Sequence, residues 1–178
     1  MRSERFDRRE LLAPGGSALA TSLSGCASAV PSVGGPPEVR EESGEIPDRT
    51  VPATLVAFSE EAVVTTLAVG DGGASGETVW VWNETGQRRE MTVELGGESD
   101  PNPWLSGTYG LDSGSGLALD LRTPRNYAIA VGVDGRTETV TVPESQFDCN
   151  DSATDVAVRP ETIETQTIST TMGCGGLW

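Results

Sequence analysis

From residue 53 onward the chain alternates apolar and polar residues in short runs, and turn-forming residues interrupt the pattern every eight to twelve positions. A period of two puts successive side chains on opposite faces of an extended strand. Many short strands at even spacing fold as a sandwich or a barrel. Residues 78–82 carry Val79 and Val81 on one face and Trp80 and Trp82 on the other. Residues 83–87 turn the chain and 88–95 bring it back, with Met91, Val93 and Leu95 sharing a face. Leu117, Leu119 and Leu121 alternate in a further strand. Tyr127, Ile129, Val131 and Val133 form the cleanest stripe and end at Asp134-Gly135, a strong hairpin signal. Residues 136–142 return with Val140 and Val142 inward, and a last hairpin pairs 155–159 with 163–170 around Pro160. Residues 54–58 and 65–69 are weaker strand candidates, and no convincing amphipathic helix is present. The expected fold is all-β: a single antiparallel sandwich of about seven to nine strands over residues 53–178.

Composition narrows the chemistry. The 178 residues suit one domain, and they hold 27 acidic against 12 basic residues, net −15, with no histidine. All 12 basic residues are arginine. The missing His excludes Ser-His-Asp and Cys-His catalysis and imidazole metal sites. The missing Lys excludes a Schiff base and a P-loop lysine. So acidic a chain does not bind nucleic acid, which needs clustered cations. Abundant carboxylates with no lysine resemble the composition of proteins from salt-loving archaea. Molar salt shortens the Debye length to roughly 3 Å, so the charge then acts as a solvated surface rather than a steering field.

The first residues read as an address. Arg8 and Arg9, a spacer, then Leu11 and Leu12 look like a twin-arginine export signal, with Asp7 departing from the usual Ser or Thr before the pair. The stretch that follows is too short and too polar to span a bilayer, which takes ~20 apolar residues. It ends in Leu23-Ser24-Gly25-Cys26, which resembles a lipobox: small residues admit a peptidase and the Cys26 thiol accepts a diacylglycerol. Residues 1–26 are therefore expected to be a signal peptide ending at the lipidated cysteine. The mature chain would carry 8 basic and 24 acidic residues, net −16. Two acyl chains on Cys26 suffice for stable anchoring at the outer face of the cell membrane. Residues 27–52 are rich in Pro, Gly, Ser and acids with no sustained period, and are expected to be a disordered tether.

The folded part resembles the small immunoglobulin-like (Ig-like) domains of haloarchaeal surface lipoproteins. The resemblance covers most of residues 60–174 and is one of pattern. It rests on a Val/Trp strand ending in Asn83-Glu84-Thr85, on Pro124-Arg125-Asn126-Tyr127 leading into a strand, on Asp148-Cys149-Asn150, and on Cys174 near the end. It implies an Ig-like sandwich and a surface location, and no activity.

With Cys26 lipidated, Cys149 and Cys174 are left as a pair in an oxidising compartment. A final hairpin turning at Glu161 and Thr162 places the two opposite each other, and such a disulfide stabilises by roughly 3 kcal/mol on loop-entropy grounds. Two cysteines without histidine do not close a zinc site.

Further features carry functional expectations. Both faces of the Trp80/Trp82 strand are apolar, so either something covers the outer face or it is a contact surface; core tryptophans are one reading, a stacking platform for sugars the other. Trp104 sits in a proline-stiffened loop, as a binding tip or as a plug for the end of the sandwich. Trp178 is either loose or tucked back. Asp148, Asn150 and Asp151 are weak calcium candidates whose spacing is not that of an EF-hand. Asn83 and Asn150 head glycosylation sequons. No cofactor is expected. Blue copper needs two His and a Cys, which the chain lacks. A carboxylate-only glycosidase has acids enough, but the sequence names no pair. The leading expectation is a non-catalytic, lipid-anchored surface module whose partners are the membrane and a surface protein or glycan.

Overall fold

The computed structural model describes residues 35–72 and 76–171. Ten strands make up the fold: β1 (Val39–Glu42), β2 (Val63–Val69), β3 (Glu77–Asn83), β4 (Arg89–Gly97), β5 (Leu105–Leu111), β6 (Gly116–Leu121), β7 (Tyr127–Val133), β8 (Arg136–Val142), β9 (Ser152–Val158) and β10 (Ile163–Ser169). Among the described residues the only helical pieces are two single 3-10 turns, Glu60–Ala62 and Glu144–Gln146. The strands form a six-stranded sheet, β1-β2-β6-β3-β9-β10, and a four-stranded sheet, β5-β4-β7-β8. The two pack face to face as an Ig-like sandwich.

The alternating stripes fill the space between the sheets. Leu67, Val79, Val81, Leu117, Leu119, Leu121 and Val156 from one sheet meet Met91, Val93, Leu95, Ile129, Val131 and Val142 from the other, each no more than 2% exposed. Asp134 and Gly135 turn β7 into β8 with φ of 50° and 77°, the left-handed pair that suits the twist of a two-residue hairpin. At the start of β7 the buried Tyr127 hydroxyl donates to the Thr123 carbonyl at 2.6 Å, a tyrosine corner, and burial pushes its pKa up to about 12.

Three sequence expectations change. The sandwich has ten strands and is not wholly antiparallel, since β2 pairs β6 and β3 pairs β9 in parallel. Alternation decides which face a residue occupies, not which neighbour its strand selects. The final hairpin turns one residue earlier than expected. Val158 faces Ile163, and the Arg159 N–H donates to the Thr162 carbonyl at 2.9 Å, which leaves Pro160 and Glu161 as the central turn residues. Proline's fixed φ favours the first of those positions.

The third change concerns residues 27–52, expected to be a disordered tether. Val39–Glu42 instead form β1, antiparallel to the edge of β2, and Val51 is 3% exposed. The folded unit begins well before residue 53. The 54–58 segment is not a strand but part of the same covering stretch.

Candidate functional site

Residues 43–62 leave β1 and cross the outer face of the six-stranded sheet before returning as β2. We call this stretch the strap. At the far side Thr54 Oγ1 donates to Gln166 Oε1 on β10 at 2.7 Å, and the Leu55 carbonyl accepts from Arg159 at 3.0 Å. Beneath it Trp80 and Trp82 point outward from β3, their rings 6.3 Å apart and 15° from parallel. Phe58 of the strap packs edge-on against both, at 5.0 and 5.6 Å. Val51, Ala118 and Ala153 complete a second, smaller core. Gly116 lies directly opposite Trp82, and a Cβ there would stand 2.6 Å from the indole ring, so only glycine admits it.

One ion pair fastens the strap. The Arg49 guanidinium donates to both oxygens of Asp155 on β9, each at 2.8 Å, and its Nε donates to the Val51 carbonyl at 2.9 Å. The two side chains are 4% and 1% exposed. The same guanidinium lies 5.1 Å from the Phe58 ring and 5.6 Å from Trp80, within cation–π range. Trp82 Nε1 donates to Asp155 at 3.3 Å, while Trp80 Nε1 is buried without an acceptor. The Trp80 indole and the Asp155 carboxylate, itself held by the Trp82 N–H, form a cradle for a planar cation, and Arg49 fills it.

Trp80 and Trp82 are therefore not the binding surface they could have been: they are 0% and 1% exposed, under a cover drawn partly from the segment expected to be a tether and partly from residues 54–58, expected as a strand. Trp104 is half-buried. Its ring meets Tyr127 edge-on at 5.9 Å, its Nε1 donates to Asp100 at 2.8 Å, and Arg125 lies 5.6 Å over it. It closes an end of the sandwich rather than presenting a tip.

Asn83 is likewise no glycosylation site in the folded chain. It is 0% exposed, and its Nδ2 donates at 2.8 Å to the carbonyls of Gln87 and Leu111. Its Oδ1 accepts from the Thr85 N–H and hydroxyl, so the sequon is the hydrogen-bonded turn that links β3 to β4. Asn150 is partly exposed, and its Nδ2 donates to Asp148.

A groove of about 570 Å³ opens where β3 begins and β6 ends, lined by Asp48, Glu77, Asp120, Asp148 and Asp151 with Arg122 among them. Arg122 is committed to Glu42 and Asp120, each at 2.7 Å. Those contacts hold Glu42 below the usual carboxylate range and the guanidinium above its own. Burial pushes the Glu77 carboxyl up against a hydrogen bond from Ser152, and Asp148 adds like-charge repulsion. With only 4% exposure Glu77 is poorly placed to touch a bound molecule. The calcium candidates do not converge: Asp148 accepts from the Asn150 N–H and Nδ2, and Asp151 is tied to Thr170 through its backbone. Among the described residues no group of three or more potential ligands is placed to hold a metal ion.

Arg49, Phe58 and Asp155 were not singled out from sequence. Asp155 gives the one available signal, a lone acid inside the apolar run of residues 153–158, where an unpaired charge would be costly. Arg8, Arg9, Leu11, Leu12, Leu23, Ser24, Gly25, Cys26, Cys174 and Trp178 lie outside the described residues. No family model, curated protein or solved structure matches this chain.

Proposed function

We propose that this chain is a non-catalytic, lipid-anchored module of a halophile, exported by the twin-arginine route and displayed at the outer face of the cell membrane, where it binds another surface protein. The observation that carries the reading is the order Arg8-Arg9, Leu11-Leu12 and Leu23-Ser24-Gly25-Cys26, all ahead of a folded domain. Twelve residues separate Cys26 from β1. Even fully extended they reach no more than about 43 Å, so the domain stays close to the bilayer. The absence of His and Lys supports contact rather than chemistry. A protein partner is favoured over a glycan because Trp80, Trp82 and Trp104, the candidates for stacking on sugar rings among the described residues, are buried or packed. A Cys149–Cys174 disulfide belongs to the same reading, as an export-compartment staple; reduction should add two hydrogens to the mass of the peptide pair.

The test is expression of the full chain in a halophilic archaeal host, followed by fractionation. Wild type is expected in the membrane, extractable with detergent and carrying a lipid mass on Cys26. Cys26→Ser should lose both the lipid and the membrane association. Replacing Arg8 and Arg9 by Lys should hold the chain in the cytoplasm. Unlipidated wild-type protein in the cytoplasm would sink the proposal.

A further inference from the structure

The cradle recognises its occupant through groups that the occupant carries in a short piece of chain. Residues 38–58 supply β1 to the edge of β2, Arg49 to Asp155, Thr54 to Gln166 and Phe58 to the two tryptophans. Every one of those partners stands at position 63 or later, and the two parts are joined in sequence only through residues 59–62. That joint is a single 3-10 turn. Ser59 before it and Val63 after it are already extended, with φ of −141° and −81°, so opening the turn alters the conformation of three residues. An element of this kind makes the same contacts on a second copy of its own fold as on its own, since sequence and receiving surface are identical.

We propose that residues 38–58 exchange between two copies of this chain, each exchanged segment seating its Arg49 and Phe58 in the Trp80, Trp82 and Asp155 cradle of the other. The occupant in cis demonstrates the fit. The charge complementarity of Arg49 with Asp155, and the Trp80 ring within cation–π range of the guanidinium, specify an arginine-bearing segment. Because contacts are equal in both arrangements, protein concentration sets the balance. Leaving the cradle breaks a buried ion pair, so exchange is slow and dimers formed at high concentration survive dilution.

The experiment mixes two variants of the full chain, one carrying Thr54→Cys and the other, isotopically labelled, carrying Gln166→Cys. They are incubated together at high concentration in molar salt, diluted, and only then oxidised. Mass spectrometry should find the peptide containing position 54 of one chain joined to the peptide containing position 166 of the other. The yield should follow the concentration of the mixing step rather than that of the oxidation step. A single chain with both substitutions, oxidised while dilute, reports the cis link. In parallel, unmodified labelled and unlabelled chains are mixed, and native mass spectrometry should show mixed dimers. A chain that stays monomeric at every concentration overturns the proposal. So does a mixed dimer without the 54–166 link, which would place the interface elsewhere.

Discussion

Arg49 and Asp155 stand 106 residues apart in sequence and meet as a bidentate pair at 2.8 Å, the guanidinium within cation–π range of Phe58 and Trp80 on the outer face of the six-stranded sheet. Asp155 also accepts from Trp82, so one carboxylate holds both the strap and the indole beneath it. Removing one partner of a buried pair strands the other charge, a loss of about 3–5 kcal/mol, whereas replacing both with apolar residues is often close to neutral. Asp155→Ala should therefore lower the unfolding free energy by about that much in molar salt and shift tryptophan emission to the red as the strap loosens. The double variant Arg49→Met with Asp155→Leu should recover most of the loss. Denaturant titrations followed by fluorescence decide it. An Asp155→Ala variant as stable as wild type would mean that the pair does not hold the strap.

Asn83 gives a prediction about modification and one about stability. Its side chain is buried and makes four hydrogen bonds, three within the β3–β4 turn and one to the Leu111 carbonyl on β5, so glycopeptide analysis should find position 83 bare and any glycan on Asn150 instead. Asn83→Ala takes the side-chain donor from the Leu111 carbonyl and the acceptor from the Thr85 N–H, while the Gln87 carbonyl keeps the Thr85 hydroxyl. At about 1–3 kcal/mol for each of two stranded buried groups, the variant should lose roughly 2–6 kcal/mol. Asn150→Ala, beside an exposed hydrogen bond, should lose well under 1 kcal/mol. Equal losses would contradict the burial difference.

How much of this was legible follows from what a local pattern can encode. The stripes of β3, β4, β6, β7 and β8 are periodic, and each lies where alternation placed it, because one face of each had a core to fill. The two-faced apolar strand left two readings open, a cover or a contact surface, and the cover is the one found. The cover went unrecognised because Arg49, Val51 and Phe58 follow no period: a strap buries isolated residues wherever it crosses the sheet, and the polar residues between them read as disorder. Strand β5 was hidden by Gly107 and Gly110, which dilute its alternation. Asn83-Glu84-Thr85 is the same string as glycan acceptor or as turn, and only its burial separates the two.

Glu77 carries a pH signature. Burial raises its pKa in the fold, reinforced by Asp148, against the pull of the Ser152 hydroxyl. A carboxyl whose folded pKa is raised binds its proton more tightly folded than unfolded. Its contribution is fully present below the unfolded value and is lost as pH rises through the folded one. At neutral pH, above the unfolded value, the raised pKa makes Glu77 a net cost to the fold. Glu77→Gln, which still offers Ser152 an acceptor, should melt above wild type at pH 7, and the gap should close as pH falls below the ordinary carboxylate range. Glu42, held low by Arg122, has the opposite sign: Glu42→Gln should melt below wild type at pH 7 and converge with it in acid. Melting curves of the three proteins across that range test both signs. A gap for Glu77→Gln that widens in acid would contradict the assignment.

The charge balance yields the last expectation. All eight arginines among the described residues are engaged: six with carboxylates, Arg125 over Trp104 and Arg136 on a carbonyl. Cations are thus used up locally while acids remain in large excess over the whole chain, 27 against 12. At low ionic strength the surplus repels itself and opposes the compact state; molar salt screens that repulsion within roughly 3 Å. The buried Arg49–Asp155 pair is far less exposed to screening than the surface pairs, so salt relieves the repulsion without releasing the strap. Circular dichroism melts should show the midpoint rising by about 5 °C or more between 0.1 and 3 M salt, which corresponds to ~2 kcal/mol for a domain of this size. The Asp155→Ala variant should gain by a similar amount while staying below wild type throughout. A wild-type midpoint that does not move with salt would remove the case for a halophilic surface and leave the excess of acids to a basic partner.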